Sequence, residues 1–332
     1  MEANVLDLQR LKSIGLAQRP IGQVLFANLV LRWNYRIPRR THIELQGLEN
    51  LPAGRTVIFA MNHPDRYNYW PFQFELYRRD LGFTATWVKG KYYENQAMAW
   101  FMDSCNNIPL PSRGYVISVA FRQQMGVAPS RDQYRLLRDL IDHKVGLNEP
   151  LIRSNESVWD FLRKYGAGDP EQALERLDEL FAEMITEVGR LSREALQVHR
   201  NHLLVFPQGT RSIRLLPGRT GMMQMAWHVG HPIVPVGCNG SDLCYPGNSP
   251  LSRGGRIVYR IGKPLELDGP ELSPFAVPAQ VLPFTPMATK TYADQYQRAT
   301  DLVMEHINEL LDEPYRFASE EVSPDQGAER FL

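Results

Sequence analysis

Residues Val57 to Trp70 read VIFAMNHPDRYNYW, and the choice of fold turns on them. An unbroken apolar run, Val57 to Met61, suits a strand covered on both faces, as strands of parallel sheets are. It delivers Asn62 and His63 to its carboxyl end, where Pro64-Asp65 turns the chain at once. Open α/β sheets hold their ligands beyond that end of the strands. The predicted class is therefore α/β, a mixed and mostly parallel central sheet flanked by helices. A histidine held there, with Asp65 two residues on and Asn68 five on, has an oxygen nearby to orient its imidazole and suits a general base. The plainer reading is a hydrogen-bonded scaffold histidine.

A second stretch, LLVFPQGTRS from Leu203 to Ser212, repeats the design: a buried-strand pattern, turn residues Pro207, Gln208 and Gly209, then Thr210, Arg211 and Ser212, which offer hydroxyls and a guanidinium to a phosphate. Together NHPDRYN and FPQGTRS resemble the 1-acylglycerol-3-phosphate acyltransferase family of phospholipid synthesis. That family is marked by Asn-His, four residues and Asp, and then by Phe-Pro-Glu-Gly-Thr-Arg-Ser. Two weaker blocks, NNIPLPSR (Asn106 to Arg113) and HPIVPVGCNG (His231 to Gly240), follow the family's order. The resemblance covers about Arg40 to Tyr315. It implies a glycerolphosphate acyltransferase-like fold and an O-acyltransferase that moves a fatty acyl group from a thioester to a lysophospholipid-like acceptor.

The 332 residues can form one large domain or two smaller ones. With 37 basic and 37 acidic residues, the balance does not point to nucleic acid. Cys105, Cys238 and Cys244 have no metal-ligand spacing and no even disulfide framework, so a reducing compartment and no metal are expected. Met1 to Leu16 mixes charges of both signs, unlike a signal peptide, and no apolar run approaches the roughly 20 residues that span a bilayer. The expectation is a cytoplasmic protein, peripheral on the inner face of a membrane.

Ile21 to Trp33, IGQVLFANLVLRW, carries that expectation. It reads as a short apolar helix edged by Arg19, Arg32, Arg36, Arg39 and Arg40, able to lie in a membrane interface or to pack on its own domain. An N-terminal amphipathic segment is accordingly assigned to residues 1–40 and an acyltransferase domain to 41–316. Within the domain, Ser118 to Arg200 reads as a helical insertion (about 118–200), because Leu174, Leu177, Leu180, Phe181, Met184, Ile185, Val188 and Leu191 recur at helical spacing behind Asp169-Pro170. Predicted helices at Pro71 to Leu81, Lys91 to Asp103, Met222 to His228 and Tyr292 to Leu311, and strands at Thr84 to Lys89, Asn107 to Leu110, Ile233 to Val236 and Arg256 to Ile261, complete it. Residues 317–332 read as a loose tail.

The resemblance assigns His63 as the base that takes the acceptor's hydroxyl proton directly, with no acyl-enzyme. It places Phe206, Pro207, Gln208, Gly209, Thr210, Arg211 and Ser212 around the acceptor, and Arg113 from the weaker block as a second cation for its phosphate. It needs no cofactor beyond the co-substrate, acyl-CoA or acyl-carrier protein. Both motif acids are amides here: the family's Asp falls at Asn68 and its Glu at Gln208. A neutral Asn can orient imidazole without stabilising its cation, and Asp65 is the alternative source of a carboxylate. The rival to an active enzyme is therefore a catalytically impaired relative that binds acyl lipid or a partner.

Overall fold

The computed structural model describes residues 6–142, 144–285 and 287–318. The chain divides into two compact units: Met1–Gly15, Val88–Met102 and Pro109–Arg190 form one, and Leu16–Trp87, Asp103–Ile108 and Leu191–Leu332 the other.

The second unit holds the sheet apart from the last two residues of each of two strands, Thr84–Lys89 and Asn107–Leu110. Its strands are β1 (Thr41–Gln46), β2 (Ile58–Met61), β3 (Thr84–Lys89), β4 (Asn107–Leu110), β5 (His202–Val205), β6 (Ile233–Asn239) and β7 (Gly255–Ile261), in the order β1-β7-β6-β2-β5-β3-β4. β2 runs parallel to both neighbours, with Ala60 beside Val205 on β5 and Pro235 on β6. That register brings the two motif loops out at the same edge of the sheet, because Asn62 and Phe206 each follow directly on a paired strand. β6 and β7 run antiparallel, and β1 returns parallel to β7. The mixed, mostly parallel α/β sheet expected from the sequence is what forms.

Every residue of β2, β5 and β6 is buried, which is why Ile58 to Met61, Leu203 to Val205 and most of β6 are apolar, the polar His202 and Asn239 standing at strand ends. Phe59 meets Phe72 edge to face at 5.1 Å, and both belong to a core with Leu204, Val234, Val236 and Tyr259. Burying each such side chain stabilises by about 1.5–3 kcal/mol. The helix Tyr69–Arg78 starts two residues ahead of Pro71, so the proline still falls in the first turn, where its missing N–H costs nothing. His202 is buried beneath: Val57 N–H donates to its Nδ1, and its Nε2 donates to Leu81 O. Burial pushes that imidazole down to about 4.

The helical unit is built on Ile117, Phe121, Leu137, Ile141, Phe161 and Leu177. Its helices start where side chains can satisfy orphan amides. Ser130 and Gln133 form a capping box, and Asn155 accepts from Val158 N–H. Ser112 accepts from Tyr115 N–H, so the helix Arg113–Met125 begins at Arg113 and the helical unit opens ahead of Ser118. The expected helix from Pro170 onward runs Pro170–Arg193.

Three expectations are adjusted. Residues 1–40 do not act together: Leu6 accompanies Gly90 and Tyr115, its N–H bonding the Tyr115 hydroxyl at 3.1 Å, whereas residues 16–40 belong with the sheet. Lys91 to Asp103 is broken into a 3-10 turn, Gly90–Tyr93, and a helix, Gln96–Ser104, because Asn95 starts the helix afresh by accepting from Met98 N–H. The tail expected at 317–332 is held at its start, where Phe317 N–H donates to Asn308 Oδ1 at 3.0 Å, and 319–332 lie outside the described residues.

Candidate active site

β2 stops at Met61, and the next side chain continues its ladder. Asn62 Nδ2 donates to Cys238 O at 3.0 Å while Cys238 N–H donates to Asn62 Oδ1 at 2.7 Å, a paired bond that fixes the start of the loop against β6. His63 follows with both backbone polar groups bound to the second motif. Its N–H donates to Gln208 Oε1 at 2.9 Å, and its carbonyl accepts from Ser212 N–H at 3.0 Å. Its ring stacks on Phe206, centroids 4.1 Å apart and 16° from parallel. Stretches about 145 residues apart in the chain are thus laced at one histidine.

The ring's Nδ1 lies 2.8 Å from Asn68 Oδ1. Asn68 is fully buried, and its Nδ2 donates to Asn62 O at 2.9 Å. Reversing the amide would set carbonyl against carbonyl, so Oδ1 must face the imidazole and Nδ1 must carry the proton. The lone pair is then on Nε2, the arrangement a general base needs. Tyr259 O–H in turn donates to Asn68 O.

Asp65 does not take this place. Its Oδ1 accepts from Tyr67 N–H at 2.7 Å, an Asx turn that shapes the loop. Burial pushes its carboxyl up to about 7. Ser241 faces it, yet neither Asp65 Oδ2 nor Ser241 Oγ reaches hydrogen-bond geometry with any partner among the described residues. The residue that orients His63 is Asn68, in the slot where the motif has an acid.

On the second motif, Gly209 N–H closes a turn onto Phe206 O at 3.0 Å, so that amide is already used, while Thr210 N–H has no acceptor among the described residues. Gly209 sits at φ +68°, and a Cβ there would come within 2.8 Å of Arg219 Cδ. The positive φ favours glycine, and the missing Cβ leaves room for the end of the Arg219 side chain. Arg219 also donates its backbone N–H to Pro207 O at 2.8 Å. Arg211 continues the same loop, half-buried. Arg113 belongs to the helical unit, where it donates to Asp178 at 2.8 Å and lies over the Phe181 ring. Gln208 keeps its Nε2 buried without a partner among the described residues, a consequence of amide in place of acid.

Comparison with known proteins adds weight to the motif reading. No family model matches the sequence. An 88-residue stretch is 35% identical to a 1-acyl-sn-glycerol-3-phosphate acyltransferase of Cocos nucifera. The matched stretch is 26% of this chain and spans 27% of the coconut acyltransferase, about a quarter of its length. Among solved structures, the crystal structure of the 1-acyl-sn-glycerophosphate (LPA) acyltransferase PlsC of Thermotoga maritima aligns over 91% of this chain and 80% of that one, at 15% identity and a TM-score of 0.40.

Proposed function

We propose that the protein is an O-acyltransferase that moves a fatty acyl group from an acyl thioester to a lysophospholipid or related amphiphilic alcohol at a membrane surface. The observation that supports it most is the His63 constellation: a tautomer set by Asn68, with Nε2 left as the basic nitrogen and the ring laced to the FPQGTRS loop.

In this reading His63 Nε2 takes the proton of the acceptor hydroxyl as its oxygen attacks the thioester carbonyl. Negative charge gathers on the carbonyl oxygen, where Thr210 N–H is the unspent donor of the turn. Collapse breaks the carbon–sulfur bond, and the departing thiolate recovers the proton from His63, giving an ester and a free thiol. Arg211 and Arg219 flank the turn and suit the acceptor's phosphate, since a guanidinium offers paired donors. Arg113, its charge met by Asp178, is left out of that role.

One observation favours a second reading, a catalytically impaired relative that binds acyl lipid. The partner on His63 Nδ1 is the neutral Asn68, so the imidazolium formed during transfer has an amide where a carboxylate would stabilise it. An assay of long-chain acyl-CoA against a panel of lysolipids, on wild type and His63→Ala, separates the two. Transfer that vanishes with the ring supports the enzyme. Lipid binding without transfer in either protein supports the impaired relative.

A further inference from the structure

The helix formed by Ile21–Leu25, Phe26–Leu31 and Arg32–Asn34 belongs to the sheet unit, and its two outward rows differ in kind. Ala27, Leu31, Asn34 and Tyr35 face the core, and Gly22 comes so near Ser104 that a Cβ would clash with its backbone. Ile21, Leu25, Leu29 and Trp33, continued by Ile37, are each more than half exposed and recur every fourth residue. A fourth residue overshoots one α-turn, but the middle segment is π-helical and its wider turn brings the row back into line. The result is a straight apolar ridge.

Beside it runs a second row, Asn28, Arg32 and Arg36, one position back along the helix and so about 100° around it. With Arg40 and Thr41 these residues line a cavity of about 610 Å³, a size suited to a small ligand. Its two acids are already engaged: Glu75 holds Arg78 and Arg79, and Glu44 holds Arg256. Arg32, Arg36 and Arg40 have no acidic partner among the described residues. Three guanidiniums without an acidic partner among the described residues, around a concavity, suit an anion, and the apolar ridge lies beside them.

We propose that this cavity seats the phosphate headgroup of an anionic membrane phospholipid while the Ile21–Trp33 ridge enters the interface, a docking site separate from the His63 loop. A ridge of this kind buries its side chains at the boundary of headgroups and acyl chains, which puts the neighbouring row at phosphate level. Guanidiniums bind phosphate oxygens in pairs, so the site should discriminate anionic from zwitterionic surfaces by geometry as well as charge. The proposal rests on the membrane-surface reading and not on acyl transfer, so binding tests it without reference to activity.

Flotation with vesicles of phosphatidylcholine, alone or doped with phosphatidylglycerol, is the test. The wild type should prefer doped vesicles by well over the roughly hundredfold that three surface cations of either kind supply. Replacing Arg32, Arg36 and Arg40 together by Gln should erase the preference. Replacing all three by Lys should lose most of it, because charge remains and the paired donors do not. Leu29→Ser with Trp33→Ser should weaken binding to both vesicles alike and keep the ratio, with far-UV circular dichroism confirming a folded chain throughout. Full preference in the Lys variant would mean diffuse attraction and overturn the cavity. Preference surviving in the Gln variant would overturn it too. A wild type that floats with neither vesicle would end the membrane reading itself while leaving acyl transfer untouched.

Discussion

The His63 loop and the outer face of the Ile21–Asn34 helix belong to the same compact unit, and they treat polar groups in opposite ways. At His63 most groups are spent internally: Asn62 on Cys238, Asn68 on His63 and Asn62, Gln208 on the His63 amide. On the helix face Arg32, Arg36 and Arg40 are left uncompensated beside exposed Trp33 and Leu29. Internal saturation fixes one geometry, which is what positioning a proton acceptor demands. Unspent charge and exposed apolar surface do nothing for the folded chain alone, and they are the mark of something met from outside.

The contrast predicts where function and stability separate. His63→Ala should lower acyl transfer by about 10²–10⁴, the usual contribution of a general base, while the melting temperature stays close to wild type. Undiminished transfer would remove His63 from the mechanism. Asn62→Ala should do the reverse of a surface change: both polar groups of Cys238 lose their partner in a buried place, at a cost of about 2–4 kcal/mol in a urea titration. Exchanging the three helix-face arginines for Gln should fall within roughly 0.5 kcal/mol of wild type. Comparable losses at the two places would dissolve the distinction.

Much of this was legible in the sequence, for a physical reason. Strands buried on both faces are apolar along most of their length, so β2 and β5 announced themselves, and the residues following them had to emerge at one edge. The pairing of His63 with Asn68 was readable from their spacing, although Asp65 competed until the Asx turn to Tyr67 was seen. What could not be read depends on contacts between distant residues. Arg113 was taken for a phosphate ligand, but Asp178 lies 65 residues on, and no local pattern links them. Arg219 meets the second motif through its backbone bond to Pro207 O and a side chain laid against Gly209, contacts that no local pattern announces. The split of residues 1–15 from 16–40 hangs on Leu6 meeting Tyr115, 109 residues away.

The orienting role gives a smaller and sharper test. Asn68→Ala frees the imidazole to hold either tautomer and should reduce transfer at least tenfold, whereas Asp65→Asn keeps the acceptor that Tyr67 N–H uses and should change it little. Rates measured at one pH on both variants decide it. If Asp65→Asn proved the more damaging, the relay would have to pass through the carboxyl after all.

Asp65 should matter instead to stability, through a proton. Its carboxyl titrates near 7 when folded, against an ordinary value of 3.8, so between about pH 4 and 7 the folded chain holds a proton that the unfolded chain has released. Its contribution is most favourable below that window and is lost as the pH rises through it. His202, pushed down to about 4, acts with the opposite sign: the unfolded chain binds the proton, and stability climbs between about 4 and 6.5. In the wild type the two slopes oppose each other over the same range, which hides both. Asp65→Asn removes one and leaves the other, so the difference in unfolding free energy between variant and wild type isolates the carboxyl. That difference should shift in favour of the variant by about 2–3 kcal/mol from pH 5 to pH 8. A constant difference across that range would mean that Asp65 is ionised throughout, and hence that something in the folded loop compensates its charge.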